Sequence, residues 1–330
     1  VTARLGLELE YVCTRGDRFD LAADLAAHVG GGFRLGLKHI VDAVDERPRC
    51  TLTQRAIVVD AAQQWVCDVV DDVTLAPSAE TLARTGLVGS FVCDDVRIAK
   101  WWESRANLRW RDDFDDDDAR VAALWVPLLM AMEGEVELVD DRQRGIDRWG
   151  QVWAVVSPQP ASRLGVAEVV LAPQTRAALP ALLQTVVSAT TGCTVLAPTS
   201  ALHVHLDAAP FRESRRLARL IVNWNAQRDA LWRALRTNTA CTRLGPFPAA
   251  AERVAQQVLS SSQETPFAVF AAALRMAGCH KAQDINLTGV LETHPVQPTL
   301  EVRCLPMSLD VEGLLASVDA ACAAIEDCVA

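Results

Sequence analysis

Leu5-Gly6-Leu7-Glu8-Leu9-Glu10-Tyr11 alternates apolar and ionisable residues with a period of two. That is the period of a β-strand, whose successive side chains point to opposite faces. Two further stretches repeat the design, Leu202-His203-Val204-His205-Leu206 and Leu300-Glu301-Val302-Arg303-Cys304. Each strand turns Leu, Val or Cys toward a core and a pair of ionisable side chains toward the other face. Set in one sheet, they collect Glu8, Glu10, His203, His205, Glu301 and Arg303 on a single face. Carboxylates and imidazoles are ligands for divalent cations, and a guanidinium fork matches a phosphate. The pattern predicts chemistry on a metal-bound nucleotide.

Taken singly, each stretch has a plainer reading. A half-exposed strand often carries acids outward. Glu301-Val302-Arg303 alone reads as a surface ion pair worth ~0–1 kcal/mol. The two histidines lie two apart, roughly 7 Å between Cα atoms on one strand face, which suits two ligands or one ligand and a phosphate contact. Their joint occurrence shifts the balance. Like carboxylates crowded on one face repel, and a cation resolves the repulsion. Mg²⁺, which prefers oxygen ligands, fits that role.

The rest of the chain sets bounds. Its 330 residues are 50% hydrophobic, enough for one large core or two ordinary ones. A net charge of −10 and a pI near 5.1 disfavour nucleic acid and anionic membrane as partners. The ten cysteines are scattered, without a C-x-x-C. Several sit at apolar positions, where a thiol acts as a small hydrophobe. With no signal peptide visible, the expectation is a reduced, cytoplasmic protein. No apolar run reaches the ~18 residues that span a bilayer. From Gly31 to Lys38 a P-loop is nearly spelled, but Leu37 stands where the Lys belongs. No G-x-G-x-x-G follows a strand, and H-E-x-x-H and G-x-S-x-G are absent.

Periodicity predicts strands at Thr2–Cys13, Arg55–Asp60, Trp65–Val70, Glu135–Val139, Gln151–Val156, Ala167–Leu171, Asp284–Leu287 and Thr299–Cys304. It predicts helices at Asp20–Val29, Ala119–Met132, Thr175–Ala189, Phe211–Leu235, Ala250–Leu259, Pro266–Ala277 and Asp310–Cys328. The acidic run Asp112–Asp118 reads as a solvated loop and helix start, because no spacing separates ligands from spectators. Strands and helices mix without regular βαβ alternation, which favours α+β with a mostly antiparallel sheet.

The motifs G-x-E-x-E near the start, H-V-H in the middle and T-L-E-x-R near the end resemble those of the amidoligase (carboxylate–amine ligase) family. That family is related to glutamate–cysteine ligase and glutamine synthetase. Val166-Ala167-Glu168-Val169-Val170-Leu171-Ala172-Pro173 resembles the family's G-x-E-[IL]-V-S-P strand. Arg236-Thr237-Asn238 loosely resembles its R-x-x-N-Y segment, and Asp284-Ile285-Asn286-Leu287 occupies the place of its Y-x-x-[LV]-N strand. Ser308-Leu309-Asp310 is similar to the G-T-L-D that follows. The family's Trp strand is present at Trp153 but lacks its Asp, and residues from about 40 to 150 read as an insertion or divergent region.

The resemblance implies a single catalytic domain over residues 1–330. Its fold would be a glutamine-synthetase-like α+β fold, a curved antiparallel half-barrel sheet backed by helices, with the site on the concave face. It implies an ATP-dependent ligase joining a small-molecule or peptide carboxylate to an amine through an acyl phosphate. Glu8, Glu10, Glu168, His203 and Glu301 would hold two or three Mg²⁺ ions, with Mn²⁺ as a substitute. His205 would contact ATP phosphate or the carboxylate, Arg303 would grip the transferring phosphoryl group, and Arg236 would bind phosphate or carboxylate more loosely. Arg243 and Lys281 read more simply as surface cations. Two alternatives stay open: a non-ATP metalloenzyme using His203, His205 and Glu301, and a nucleotide-binding module of the same fold without turnover.

Overall fold

The computed structural model describes residues 4–15, 18–44, 47–70, 91–93, 135–139, 142–146, 152–156, 166–195, 200–238, 244–279, 281, 283–293 and 298–330. Over 35–55 and the short strands between 91 and 156 it describes the backbone alone. The acidic run Asp112–Asp118 and the helix expected at Ala119–Met132 lie outside the described residues.

The strands are β1 (Arg4–Cys13), β2 (Gly32–Val44), β3 (Arg47–Val59), β4 (Trp65–Val70), β5 (Phe91–Cys93), β6 (Glu135–Val139), β7 (Arg142–Ile146), β8 (Val152–Val156), β9 (Val166–Leu171), β10 (Gln174–Thr175), β11 (Cys193–Thr194), β12 (Ala201–Asp207), β13 (Ile285–Asn286) and β14 (Thr299–Pro306). The helices are α1 (Arg18–His28), α2 (Leu179–Ala189), α3 (Ser214–Ala234), α4 (Ala249–Ser260), α5 (Phe267–Met276), α6 (Thr288–Leu291) and α7 (Val311–Val329). The architecture is α+β, with antiparallel strand pairing backed by helices. Among the described residues no helix is long and apolar enough to cross a membrane. The chain divides into two compact units.

The first unit holds residues 1–10, 171–187 and 195–330. Its strands run in the order β13–β14–β12–β1, all antiparallel neighbours. Leu7, Leu9, Leu202, Val204, Leu300 and Val302 are at most 1% exposed, so the apolar half of each alternation is in the core as the period requires. Helix α7 packs on β12, β14 and α3. In α3, Leu217, Leu220, Ile221 and Trp224 are buried at i, i+3, i+4 and i+7, one helical stripe. Each such side chain contributes about 1.5–3 kcal/mol of burial.

The sequence places the start of this long helix at Phe211. It starts at Ser214 instead, because the Glu213 side chain accepts hydrogen bonds from the backbone N–H groups of Arg215 and Arg216 and caps it. Its far end closes with Arg236 N–H donating to Arg233 O and Thr237 N–H to Trp232 O. That pairing puts Arg236 in the left-handed region, φ 54°, where glycine is usual.

The second unit holds residues 11–170 and 188–194. The hairpin β2–β3 pairs continuously from Gly32↔Val59 to Val44↔Arg47, and β4 lies on β3. Beyond β3 the order is β5, β8, β7, β6. Helix α1 covers β2, β3 and β4, burying Phe19, Leu21, Ala22, Leu25 and Ala26. The sequence predicts only the end of β3 and leaves β2 unassigned. The alternation of Leu35 and Leu37 slips at Lys38-His39, so no clean period of two survives there. Strand β11 closes on the end of β1, with Val12↔Thr194 and Cys13↔Cys193 in register.

Candidate functional site

In the first unit the charged halves of the three alternating strands meet. Antiparallel pairing sets Glu8 opposite His203 and Gly6 opposite His205. On the other side, His205 stands opposite Glu301. Glu8, Glu10, His203, His205 and Glu301 are all at most 9% exposed. The register shifts between Leu202 and Val204, so that Arg303 and Cys304 together oppose His203. An extra residue of this kind bends a strand and re-aims its side chains.

His203 is ringed by carboxylates. Its Nδ1 lies 3.0 Å from Glu8 Oε2 and 3.2 Å from Glu301 Oε1, and its Nε2 lies 3.5 Å from Glu10 Oε1. His205 Nε2 lies 3.2 Å from Glu8 Oε1. Glu10 Oε2 accepts a 2.6 Å hydrogen bond from the backbone N–H of Ala201. Arg303 Nη1 donates to Glu301 Oε1 at 2.9 Å, with the Arg303 side chain 22% exposed. Among the described residues, Glu8, His205 and Glu301 each bring one ligand atom within 4.8 Å of the others. Oxygen and imidazole donors at that spacing suit a divalent cation.

Two residues to which the sequence reading gives no role complete the site. Asn286, opposite Glu301 in the register, donates through Nδ2 to Glu301 Oε2 at 2.7 Å. Its Oδ1 accepts the backbone N–H of Thr288 at 2.9 Å, which fixes which way the amide points. Thr299 Oγ1 lies 2.9 Å from His205 Nδ1 and orients that ring. Thr299 was findable, being two residues before Glu301 and so on the same face. Asn286 stands in the motif segment Asp284–Leu287, but the residue it faces, Glu301, is set by strand register.

Burial works against the charged form of Glu301, and Glu8 adds to that. Arg303, His205 and His203 outweigh both and hold the carboxyl below its ordinary value of 4.5. A carboxyl depressed in the folded state contributes stability above its unfolded pKa, and that contribution is lost as pH falls toward the folded one. Glu301→Gln is therefore expected to flatten the loss of stability below pH 4.5. Denaturant midpoints of both proteins across an acid series test this, and parallel curves would refute it.

Gly6 explains the glycine of the first motif. A Cβ there would lie 3.2 Å from His205 Cβ and 3.8 Å from its Cγ. Gly6→Ala is expected to push the imidazole away from Glu8 and to lower stability by about 1 kcal/mol, despite the entropy a strand alanine saves. Thermal melting checks it, and a raised melting temperature would show that the site has slack.

The remaining expected residues belong to other elements. Glu168 is half-buried in β9 of the second unit. Arg236 is exposed at the end of α3. Lys281 is half-buried, and Arg243 lies outside the described residues. Asp310, read as part of a motif, caps α7 by accepting the Gly313 N–H at 2.7 Å and the Ser308 hydroxyl at 2.7 Å. No protein-family model, curated protein or solved structure matches this chain.

Proposed function

We propose that this chain is an ATP-dependent carboxylate–amine ligase with a glutamine-synthetase-like sheet. The observation that carries the reading is the convergence of Glu8, Glu10, His203, His205 and Glu301, with Arg303 beside them, on one face of β1, β12 and β14. A face of buried carboxylates with one guanidinium is costly as mere structure and serviceable as a phosphate-handling site.

Glu8, Glu10, Glu301 and the two imidazoles would hold Mg²⁺ or Mn²⁺. Bound there, the metal supplies charge neutralisation and alignment of phosphate oxygens, which is most of what phosphoryl transfer requires. Glu168 is carried in the ligand set by motif resemblance alone. In the reaction the substrate carboxylate would attack the γ-phosphorus of ATP, breaking the β–γ bond and releasing ADP. The amine would then attack the acyl carbon of the acyl phosphate, displacing inorganic phosphate and giving up a proton as the amide forms. Arg303 would grip the transferring group through its guanidinium fork, while Asn286 and Thr299 hold Glu301 and His205 in place. The scatter of the ten cysteines along the sequence, without a C-x-x-C, supports a reducing, cytoplasmic setting.

Hydroxylamine tests the reading directly. It intercepts an acyl phosphate as a hydroxamate, so the chain with Mg-ATP and a panel of amino acids, peptides and other carboxylates should yield one, coupled to ADP release. Absence of ADP across the panel, with no thermal stabilisation by Mg-ATP, would sink it. The imidazole in the Glu8–His205–Glu301 trio favours one second reading, a non-ATP metalloenzyme. Tight zinc or iron in the purified protein, without a nucleotide response, would select that instead.

A further inference from the structure

We propose that Cys13 and Cys193 are an oxidative modification site, a dithiol that a low-molecular-weight disulfide of the glutathione class converts to an intramolecular disulfide. The pair stands in the second unit and does not depend on the ligase reading.

Geometry carries the inference. Cys13 closes β1 and Cys193 opens β11, and the two are direct partners in the antiparallel register. Their sulfurs are already 4.0 Å apart. The next pair along is joined by Thr14 N–H donating to Gly192 O at 2.8 Å. Bonded and non-bonded pairs alternate along an antiparallel ladder, so Cys13–Cys193 is a non-hydrogen-bonded pair. Such pairs hold their Cα atoms at roughly 4.5 Å, inside the range a disulfide accepts. The Thr14 hydroxyl also donates to Gly192 O at 2.8 Å, so the frame beside the sulfurs is fixed. Closing the bond needs side-chain rotation and no new backbone path, although the residues are 180 apart in sequence.

The two thiols differ in a way that sets their order of reaction. Cys13 is 1% exposed, whereas Cys193 is half-buried and reachable. The Cys13 thiol at hydrogen-bond distance holds the Cys193 thiol below its usual value, against burial and the nearby Asp24 charge. Burial pushes Cys279 and Cys304 up to about 12 and Cys328 up to about 11, so those thiols are poor nucleophiles near neutrality.

The chemistry balances in two exchanges. The Cys193 thiolate attacks one sulfur of the small disulfide, breaks its S–S bond and releases one small thiol. Cys13 gives up its proton, attacks the Cys193 sulfur and releases the second small thiol. The protein loses two hydrogens, and the small disulfide is reduced to two thiols.

The test exposes the full chain to graded mixtures of oxidised and reduced glutathione, quenches with acid, and maps peptides without reduction. The Cys13–Cys193 linked peptide should appear first as the mixture becomes more oxidising. Cys193→Ser should abolish it. Cys13→Ala should halt at the mixed disulfide, leaving glutathione on Cys193. Cys50 and Cys93 are also strand partners, in the β3–β5 register. A Cys50–Cys93 link forming while Cys13 and Cys193 remain thiols would overturn the proposal, as would stable glutathione on Cys193 of the unaltered chain. Should the Cys13→Ala chain fail to fold, the peptide map of the unaltered chain still decides.

Discussion

Arg303→Lys is expected to lower ATP turnover on the order of 10²-fold or more while leaving the melting temperature nearly unchanged. Arg303 Nη1 already bonds Glu301 Oε1 at 2.9 Å, and a lysine ammonium keeps a positive charge beside that carboxylate. The electrostatic support of the fold therefore survives. What disappears is the planar fork, whose geometry matches two oxygens of a transferring phosphoryl group at once. An interaction realised mainly in the transition state shows in turnover and spares ATP affinity. Steady-state ADP release with the carboxylate that supports hydroxamate formation, beside a melting curve, separates the cases. A fully active Lys variant removes Arg303 from the phosphoryl role. A variant that unfolds makes it a structural ion pair.

The second large effect is on stability. Asp284 is 1% exposed and accepts four hydrogen bonds. They come from Trp224 Nε1 at 3.1 Å, Trp232 Nε1 at 2.9 Å, Arg228 Nε at 2.7 Å and Arg228 Nη2 at 3.1 Å. The Arg228 guanidinium also stacks 3.8 Å from the Trp232 ring centroid. The backbone carbonyl of Asp284 accepts the Arg303 N–H at 2.9 Å. One carboxylate thus ties helix α3 to the edge of the sheet, immediately beside the residues that orient Glu301.

Asp284→Ala strands a largely buried guanidinium and two indole N–H groups. Removing one partner of such a pair costs about 3–5 kcal/mol. Thermal melting followed by tryptophan emission should show the loss, since Trp224 and Trp232 both report on the network. Joint replacement by apolar residues, Arg228→Met with Asp284→Leu, should recover part of it, because the cost lies in the orphaned charge. A single Asp284→Ala chain melting as the parent does would mean that water takes over the carboxylate's bonds.

Much of the first unit is legible in the sequence. A period of two survives any packing detail, so Leu7, Leu9, Leu202, Val204, Leu300 and Val302 announce a core face. Glu8, Glu10, His203, His205 and Glu301 announce the opposite one. The helices follow from their own stripes, as Leu217, Leu220, Ile221 and Trp224 show for α3. The sequence also supplies the ionisable set itself, and with it the class of chemistry proposed.

What sequence periodicity does not carry is register, and register is a property of strand pairs. Only the tertiary structure decided that Glu8 faces His203, that Asn286 faces Glu301, and that a Cβ on Gly6 would crowd His205 at 3.2 Å. The extra residue at Arg303–Cys304 breaks the strict alternation read from β14 and lets Leu305, rather than Cys304, stand opposite Leu202. The same limit applies to Asp284, whose four donors come from a helix more than fifty residues earlier. It applies again to Cys13 and Cys193, which are 180 residues apart. Local sequence fixes which face a side chain occupies. Which partner it meets there depends on backbone hydrogen bonds between distant segments, and those form only when the whole sheet does.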